Sequence, residues 1–167
     1  MDLMLHIPKP DEFGFYRTMM TDPATMAYNA PWFPPDGCIP NPEEDWANLT
    51  ENWIGHEPRF FYAYLRRKSD GAFVGDVCFH YTPEKDRWDM GVVIYAPERG
   101  KGYGKQGLRL LAEYAFAHGV KRLHNEFETT RDAAYRIHRA VGFTETGREN
   151  GCYHLELTEE RFRRNGN

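Results

Sequence analysis

Residues 92–111 constrain this chain more than any other stretch. Val92-Val93-Ile94-Tyr95 is a β-branched and aromatic run that reads as a buried strand, and Pro97 ends it. From Leu108 onward Leu108, Leu111, Ala112 and Ala115 recur at helical spacing, with Leu110, Tyr114 and Ala117 beside them. Between strand and helix, Gly100, Gly102 and Gly104 are interleaved with Arg99, Lys101 and Lys105. Glycine lets the main chain approach a ligand without a Cβ in the way. The first N–H groups of a helix lack internal partners, and the helix dipole adds partial positive charge there. A strand-to-helix turn of this make-up, with cations added, is an anion site suited to phosphate.

Two phosphate motifs fail on context. Gly102-Tyr103-Gly104-Lys105-Gln106-Gly107 is literally G-x-G-x-x-G, and Glu126 falls about 20 residues further on. In a dinucleotide fold, however, the glycines follow the first strand of a parallel sheet at once. Here the turn is longer, hairpin-like strands precede it, and too little chain follows for the remaining parallel strands. No G-K-[ST] occurs, so there is no Walker loop. A glycine-rich surface turn with solvated charges is the other way to read the hexapeptide by itself; the flanking elements argue against it.

The 167 residues read as one domain, 1–167, large enough for a substantial core. A hydrophobic content of 41% and aromatic content of 15% exclude a disordered chain. The net charge of -4 argues against a nucleic-acid-binding surface. Positive charge is instead local: Arg99, Lys101, Lys105 and Arg109 stand against Glu98 alone around the glycine turn, as one small polyanion would require. Cys38, Cys78 and Cys152 are odd in number and lack metal-ligand spacing, which suggests free thiols in a reducing compartment and no metal. The N-terminus lacks a basic region followed by a long apolar run, and no apolar stretch approaches the ~20 residues of a membrane span. The expected location is the cytoplasm, with no membrane partner and either a monomer or a homodimer.

Leu3 to Ile7 reads as a short strand, and Phe13, Tyr16 and Met20 share one face of a short helix over 10–20. Residues 28–42 hold five prolines and a glycine, which forbid regular structure, yet also Tyr28, Trp32 and Phe33. Those aromatics either wall a substrate pocket or staple the loop to the core; both roles are open. Asn41-Pro42-Glu43-Glu44 starts a helix as N-cap, first-turn proline and first-turn carboxylates, and Trp46, Leu49, Trp53 and Ile54 give it an apolar stripe. Strands follow at 60–65, 72–81 and 88–95, turning at Asp70-Gly71 and at 82–86, and Arg66-Arg67-Lys68 reads as a solvated hairpin end. After the long helix, capped by Gly119, residues 121–128 read as a strand parallel to 88–95. A helix over 131–143 closed by Gly142, a strand over 151–157 and a basic tail complete an α+β chain.

Arg99-Gly100-Lys101-Gly102-Tyr103-Gly104 matches [RQ]-x-x-G-x-[GA] and so resembles the pyrophosphate loop of the GCN5-related N-acetyltransferases (GNAT), which bind acetyl-coenzyme A. The resemblance extends from Phe60 to Leu157. The family's last helix is similar to N-x-x-A-x-x-x-Y-x-x-x-G-F. Ala134 and Gly142-Phe143 match it in register, while Arg131 replaces the asparagine and His138 the tyrosine. Residues 22–26 and the following helix look more weakly like the ribosomal-protein-acetylating (RimJ/RimL-like) branch. The resemblance implies the GNAT fold: a mixed, mostly antiparallel sheet of about six to seven strands, splayed between two parallel strands and flanked by about four helices.

The same resemblance implies an acetyl-CoA-dependent N-acetyltransferase acting on a primary amine, whether of a small molecule or of a protein N-terminus. A non-catalytic acyl-CoA-binding sensor of that fold is the alternative. Acetyl-CoA would be held by Arg99, Gly100, Lys101, Gly102, Tyr103, Gly104 and Lys105, by the main chain of Val93, Ile94 and Tyr95 along the pantetheine arm, and by Arg131, Ala134 and His138. Main-chain N–H groups would polarise the thioester carbonyl. The acceptor arrives as ammonium and must lose a proton, which calls for a carboxylate: Glu126 first, Asp89 second. An ordinary half-exposed strand carboxylate is the other reading of each. His138 stands where the family's tyrosine protonates the leaving thiolate; it is either that donor or a packed core histidine.

Overall fold

The computed structural model describes residues 1–166. Seven strands, β1 (Leu3–His6), β2 (Phe60–Arg67), β3 (Phe73–Thr82), β4 (Arg87–Ile94), β5 (Arg122–Glu128), β6 (Thr144–Glu149) and β7 (Cys152–Thr158), form one sheet in the order β1-β2-β3-β4-β5-β7-β6. Every neighbouring pair is antiparallel except β4 and β5, which run parallel. The helices are α1 (Phe13–Met20), α2 (Pro23–Met26), α3 (Pro42–Asn52), α4 (Tyr103–Ala117), α5 (Asp132–Val141) and α6 (Glu159–Asn165). No helix among the described residues is long and apolar enough to cross a membrane.

Strand periodicity divides the apolar side chains between two cores. On one face Leu65, Val77, Phe79, Leu123, Phe127 and Leu155 meet Leu108, Leu111 and Ala115 of α4. On the other, Tyr62 and Tyr64 of β2 meet Tyr16 and Met19 of α1 and Trp46 of α3. Buried on both sides, β2 reads as a continuous apolar run. Among the described residues, this second core draws its strand side chains from β2 and β3 and none from β5 to β7.

Several elements depart from the expectations. β6, Thr-Glu-Thr-Gly-Arg-Glu, has no apolar alternation, because it is an edge strand held to β7 by its backbone. The basic tail is helix α6, whose Phe162 packs on the first core and whose Thr158 caps it through Arg161 N. Asn41 does stand at the N-cap of α3, but its side chain makes no cap hydrogen bond. Arg66-Arg67-Lys68 is solvated only in part: Lys68 is exposed, but the Arg67 side chain is only 19% exposed and pairs with Asp70 and Glu98 at 2.8 Å. In the proline-rich loop, Gly37 has φ +84, and a Cβ there would lie 2.0 Å from the Met26 carbonyl oxygen, so no other residue fits.

One feature of the sheet positions the site. β4 pairs with β5 only at Trp88–Leu123 and Asp89–His124, whereas β4 follows β3 and β5 follows β7 along their lengths. Each strand is satisfied on its outer edge, so the shared edge is free to open beyond Asp89. Tyr95 N–H points to the Val74 carbonyl on β3. By the alternation of an antiparallel ladder, the main-chain groups of Met90, Val92 and Ile94 therefore face the opening.

Candidate active site

The opening between β4 and β5 widens into a cleft of about 930 Å³. Val92, Val93 and Ile94 form one wall, Asn125 to Glu128 the other, the glycine turn and the start of α4 one end, and Tyr28 and Trp32 part of its rim. Gly100 and Gly102 have φ of +78 and +79, conformations that the turn requires and that glycine adopts without strain. Among the described residues, none of the main-chain N–H groups from Gly100 to Lys105 has an acceptor, and α4 has no side-chain cap. Six donors without acceptors therefore gather at the positive end of a 15-residue helix, and all of their residues except Lys101 line the cleft. Gly104 has another reason to be small: a Cβ there would crowd Ile137 of α5 at 3.2 Å.

The cations of the turn do less than their count suggests. Arg99 spends its guanidinium on three carbonyls: Nε on Ile94 at 3.1 Å, Nη1 on Ala24 and Nη2 on Thr25 at 3.0 Å each. It ties the turn to α2 and is not held out toward an anion. Lys101 pairs with Glu98 at 2.8 Å, and Arg67 holds the same carboxylate oxygen from the hairpin. Lys105 is exposed at the cleft and makes no ion pair among the described residues. Arg67 and Glu98, which brace the turn, were not singled out as site residues from the sequence; the hairpin register alone brings them together.

The model for the acetyltransferase (GNAT) domain family matches residues 2–144. The chain belongs to the GNAT acetyltransferase family. It is 26% identical over 153 residues to the uncharacterized N-acetyltransferase YycN of Bacillus subtilis, covering 87% of this chain and 95% of that protein. Its fold is similar to that of a GNAT-family acetyltransferase from Bacillus anthracis, with a TM-score of 0.75 at 18% identity over 96% of both chains. It is likewise similar to the spermidine N-acetyltransferase from Vibrio cholerae solved with CoA and spermine, with a TM-score of 0.76 at 14% identity over 96% of this chain and 98% of that one. The protein is thus an acyl-CoA-dependent N-acyltransferase, and its family draws the acyl group from acetyl-CoA.

The cleft of this acetyltransferase gathers most, though not all, of the residues expected there. Val93, Ile94, Arg131, Ala134, His138, Glu126, Tyr28 and Trp32 line it. Tyr95 does not: its side chain packs edge-on against Phe15 in the second core, and its N–H belongs to β3. Phe33 also lies outside the lining. Arg131 sits over the rings of Tyr28 and Phe127, its guanidinium carbon 4.9 and 5.5 Å from their centroids. Met90, Val92 and Asn125 line the cleft as well, and alternation along β4 and β5 is what would have found them.

His138 is a buried residue whose two ring nitrogens are both engaged. Nδ1 lies 2.7 Å from the Ala134 carbonyl, which can only accept, so Nδ1 carries the hydrogen. Nε2 then accepts from the Asn125 amide at 2.9 Å. Burial is the main force pushing its pKa down to about 4; the Ala134 carbonyl opposes this, and the Arg131 charge adds to it. At neutral pH the ring is uncharged and its one hydrogen is committed. The expected role as thiolate proton donor does not fit this arrangement.

Asp89 is drawn away from the cleft. Its carboxylate accepts from His124 Nδ1 at 2.9 Å, pairs with Arg87 at 2.7 Å and takes the Thr82 hydroxyl hydrogen. Burial opposes its ionisation, yet Thr82, His124 and Arg87 together hold it below the usual carboxylate range. A carboxylate so committed is a poor base for a substrate that never meets it. Glu126, by contrast, lies at the cleft with its side chain 43% exposed and with only long contacts, 3.7 Å each, to Arg87 and His154.

Proposed function

We propose that the protein moves an acetyl group from acetyl-CoA to a primary amine by direct attack within a ternary complex. The observation that carries this reading is the parting of β4 from β5 beside six unsatisfied main-chain N–H groups. The diphosphate of acetyl-CoA binds the N–H groups of residues 100–105, with Lys105 adding charge from the rim. The pantetheine arm lies against β4 as a partial strand, bonded to Val92 and Ile94 in place of the Val93-to-Tyr95 run. The thioester carbonyl then meets an inward N–H of β4, which favours the oxyanion formed on attack.

The amine enters past Tyr28 and Trp32. Glu126 takes one proton from the ammonium, directly or through water, and the free amine attacks the thioester carbon. The tetrahedral adduct collapses with cleavage of the C–S bond. One of the two protons still on nitrogen passes to the leaving thiolate and the other stays as the amide N–H, so amide and free CoA thiol result, and Glu126 returns its proton to solvent. No side-chain acid is needed, which accords with the one ring hydrogen of His138 being held by the Ala134 carbonyl. Asn125, oriented by His138, lines the same stretch of the cleft. The acceptor is a small-molecule amine or a protein N-terminus.

Thiol release with a panel of amines tests the reading. Glu126→Gln is expected to lower kcat/KM by about 10²-fold or more near neutral pH, with the loss shrinking at high pH where the amine is already free. Binding of acetyl-CoA should be unchanged. An unaltered rate would remove Glu126 as base. Tight acetyl-CoA binding without turnover of any amine would favour a binding-only protein.

A further inference from the structure

Glu126 of β5 stands directly opposite His154 of β7 in the antiparallel ladder. Side chains two apart on a strand share a face, so His124 joins the pair. One donor atom from each of the three lies within 4.8 Å of the others. His124 Nε2 is 3.3 Å from His154 Nδ1, which is 3.7 Å from a Glu126 carboxylate oxygen. The expectation of no metal rested on cysteine spacing, which is blind to a set contributed by two strands.

The orientation of His124 is fixed from behind. Its Nδ1 meets Asp89, which can only accept, so Nδ1 bears the hydrogen and Nε2 turns a lone pair toward His154 and Glu126. Asp89 is itself anchored by Thr82 and Arg87. A carboxylate behind a histidine in this way is the usual support of a metal-ligating imidazole. His124 and His154 also line a second surface cavity, about 380 Å³, which gives an ion a path from solvent.

We propose that His124 Nε2, His154 Nδ1 and a Glu126 carboxylate oxygen form a site for one divalent transition-metal ion, with Zn²⁺ the best match. Two imidazoles and a carboxylate suit tetrahedral zinc with an open fourth position, whereas Ca²⁺ and Mg²⁺ demand more oxygens. Arg87, 3.7 Å from Glu126, sets a like charge at the rim and weakens the site. An ion bound here takes the Glu126 carboxylate, so it also inhibits acetyl transfer; that consequence rests on the base assignment above, while the site itself does not.

The test is titration of the metal-stripped, tag-free full chain with Co²⁺ and then Zn²⁺. One Co²⁺ per chain is expected, with the visible bands of four-coordinate cobalt, no thiolate charge-transfer band, and displacement by Zn²⁺. Asp89→Asn should weaken binding about 10–100-fold, and His154→Gln and Glu126→Gln at least tenfold. Arg87→Gln should tighten it, a change that mere damage to the fold would not produce. Absence of stoichiometric uptake, leaving only an imidazole–imidazole hydrogen bond, would overturn the proposal. So would a thiolate band from Cys152, or uptake undiminished in His154→Gln. The wild-type cobalt spectrum does not depend on any variant folding. Full activity of Glu126→Gln combined with loss of metal uptake would sink the base assignment and leave the site standing.

Discussion

His138 and Asp76 are both buried, and they tie stability to pH with opposite signs. His138 has a folded pKa near 4 against 6.5 for the free side chain, so between those values the unfolded chain binds more protons. Stability is complete above pH 6.5 and falls as pH drops toward 4, by about 3 kcal/mol. Asp76, on the face of β3 beneath α1 and α3, has one side-chain hydrogen-bond partner among the described residues, the Tyr62 hydroxyl at 2.7 Å. Burial raises its pKa to about 7, more than Tyr62 lowers it. Here the folded chain binds more protons, so stability present at low pH is lost as pH rises through 7, by about 4 kcal/mol at most. Asp76→Asn should therefore gain on the wild type between pH 5 and pH 8, and His138→Gln should flatten the acid limb. Urea unfolding at several pH values checks both; a constant gap between Asp76→Asn and the wild type would show that Asp76 is ionised throughout. At this scale the sequence marked Glu126 and His138 by position. It could not show what Asp89 and Arg99 touch, because those partners are set by strand register and by a contact with α2.

At the scale of elements, periodicity carried most of the reading. The apolar runs of β2 to β4 and the helical spacing of α4 and α5 stand out because burial selects their side chains. β6, Thr144–Glu149, is invisible to that logic, since its hold on the sheet is a backbone ladder. α2 is only one turn, and α6 was obscured by its charges. The glycine turn was legible by its residue types, whereas the splay beside it was expected only through the family resemblance, since it follows from each parent strand having a better partner on the far side. Two glycines of this region make separable predictions. Gly107→Ala places a Cβ 2.5 Å from Leu65, so it should cost about 1–3 kcal/mol and lower the melting point by several degrees, with little effect on acetyl-CoA affinity once folded. Gly102→Ala meets nothing within 4 Å but must hold φ +79, so it should weaken acetyl-CoA binding by disturbing the turn while costing only about 1–2 kcal/mol of stability. Calorimetric binding set against thermal melts separates the two.

Across the whole molecule, Arg99 ties the glycine turn on one side of the sheet to α2 on the other. The Arg99 side chain runs from the end of β4 to the carbonyls of Ala24 and Thr25, and the Thr25 hydroxyl accepts the Ala96 N–H at 2.9 Å. α2 leads directly into Tyr28, on the rim of the cleft where the amine is proposed to enter. Arg99→Gln should thus lower the melting point and raise KM for both substrates, whereas a residue serving only the phosphates would raise it for acetyl-CoA alone. Steady-state kinetics with each substrate varied in turn reads the difference. The same tie sets a sequence of events. A nucleotide tail that stills the turn also stills the segment on which the amine must settle, so the thioester is expected to bind first. Dead-end inhibition patterns should be ordered, and severing that one guanidinium should make them random.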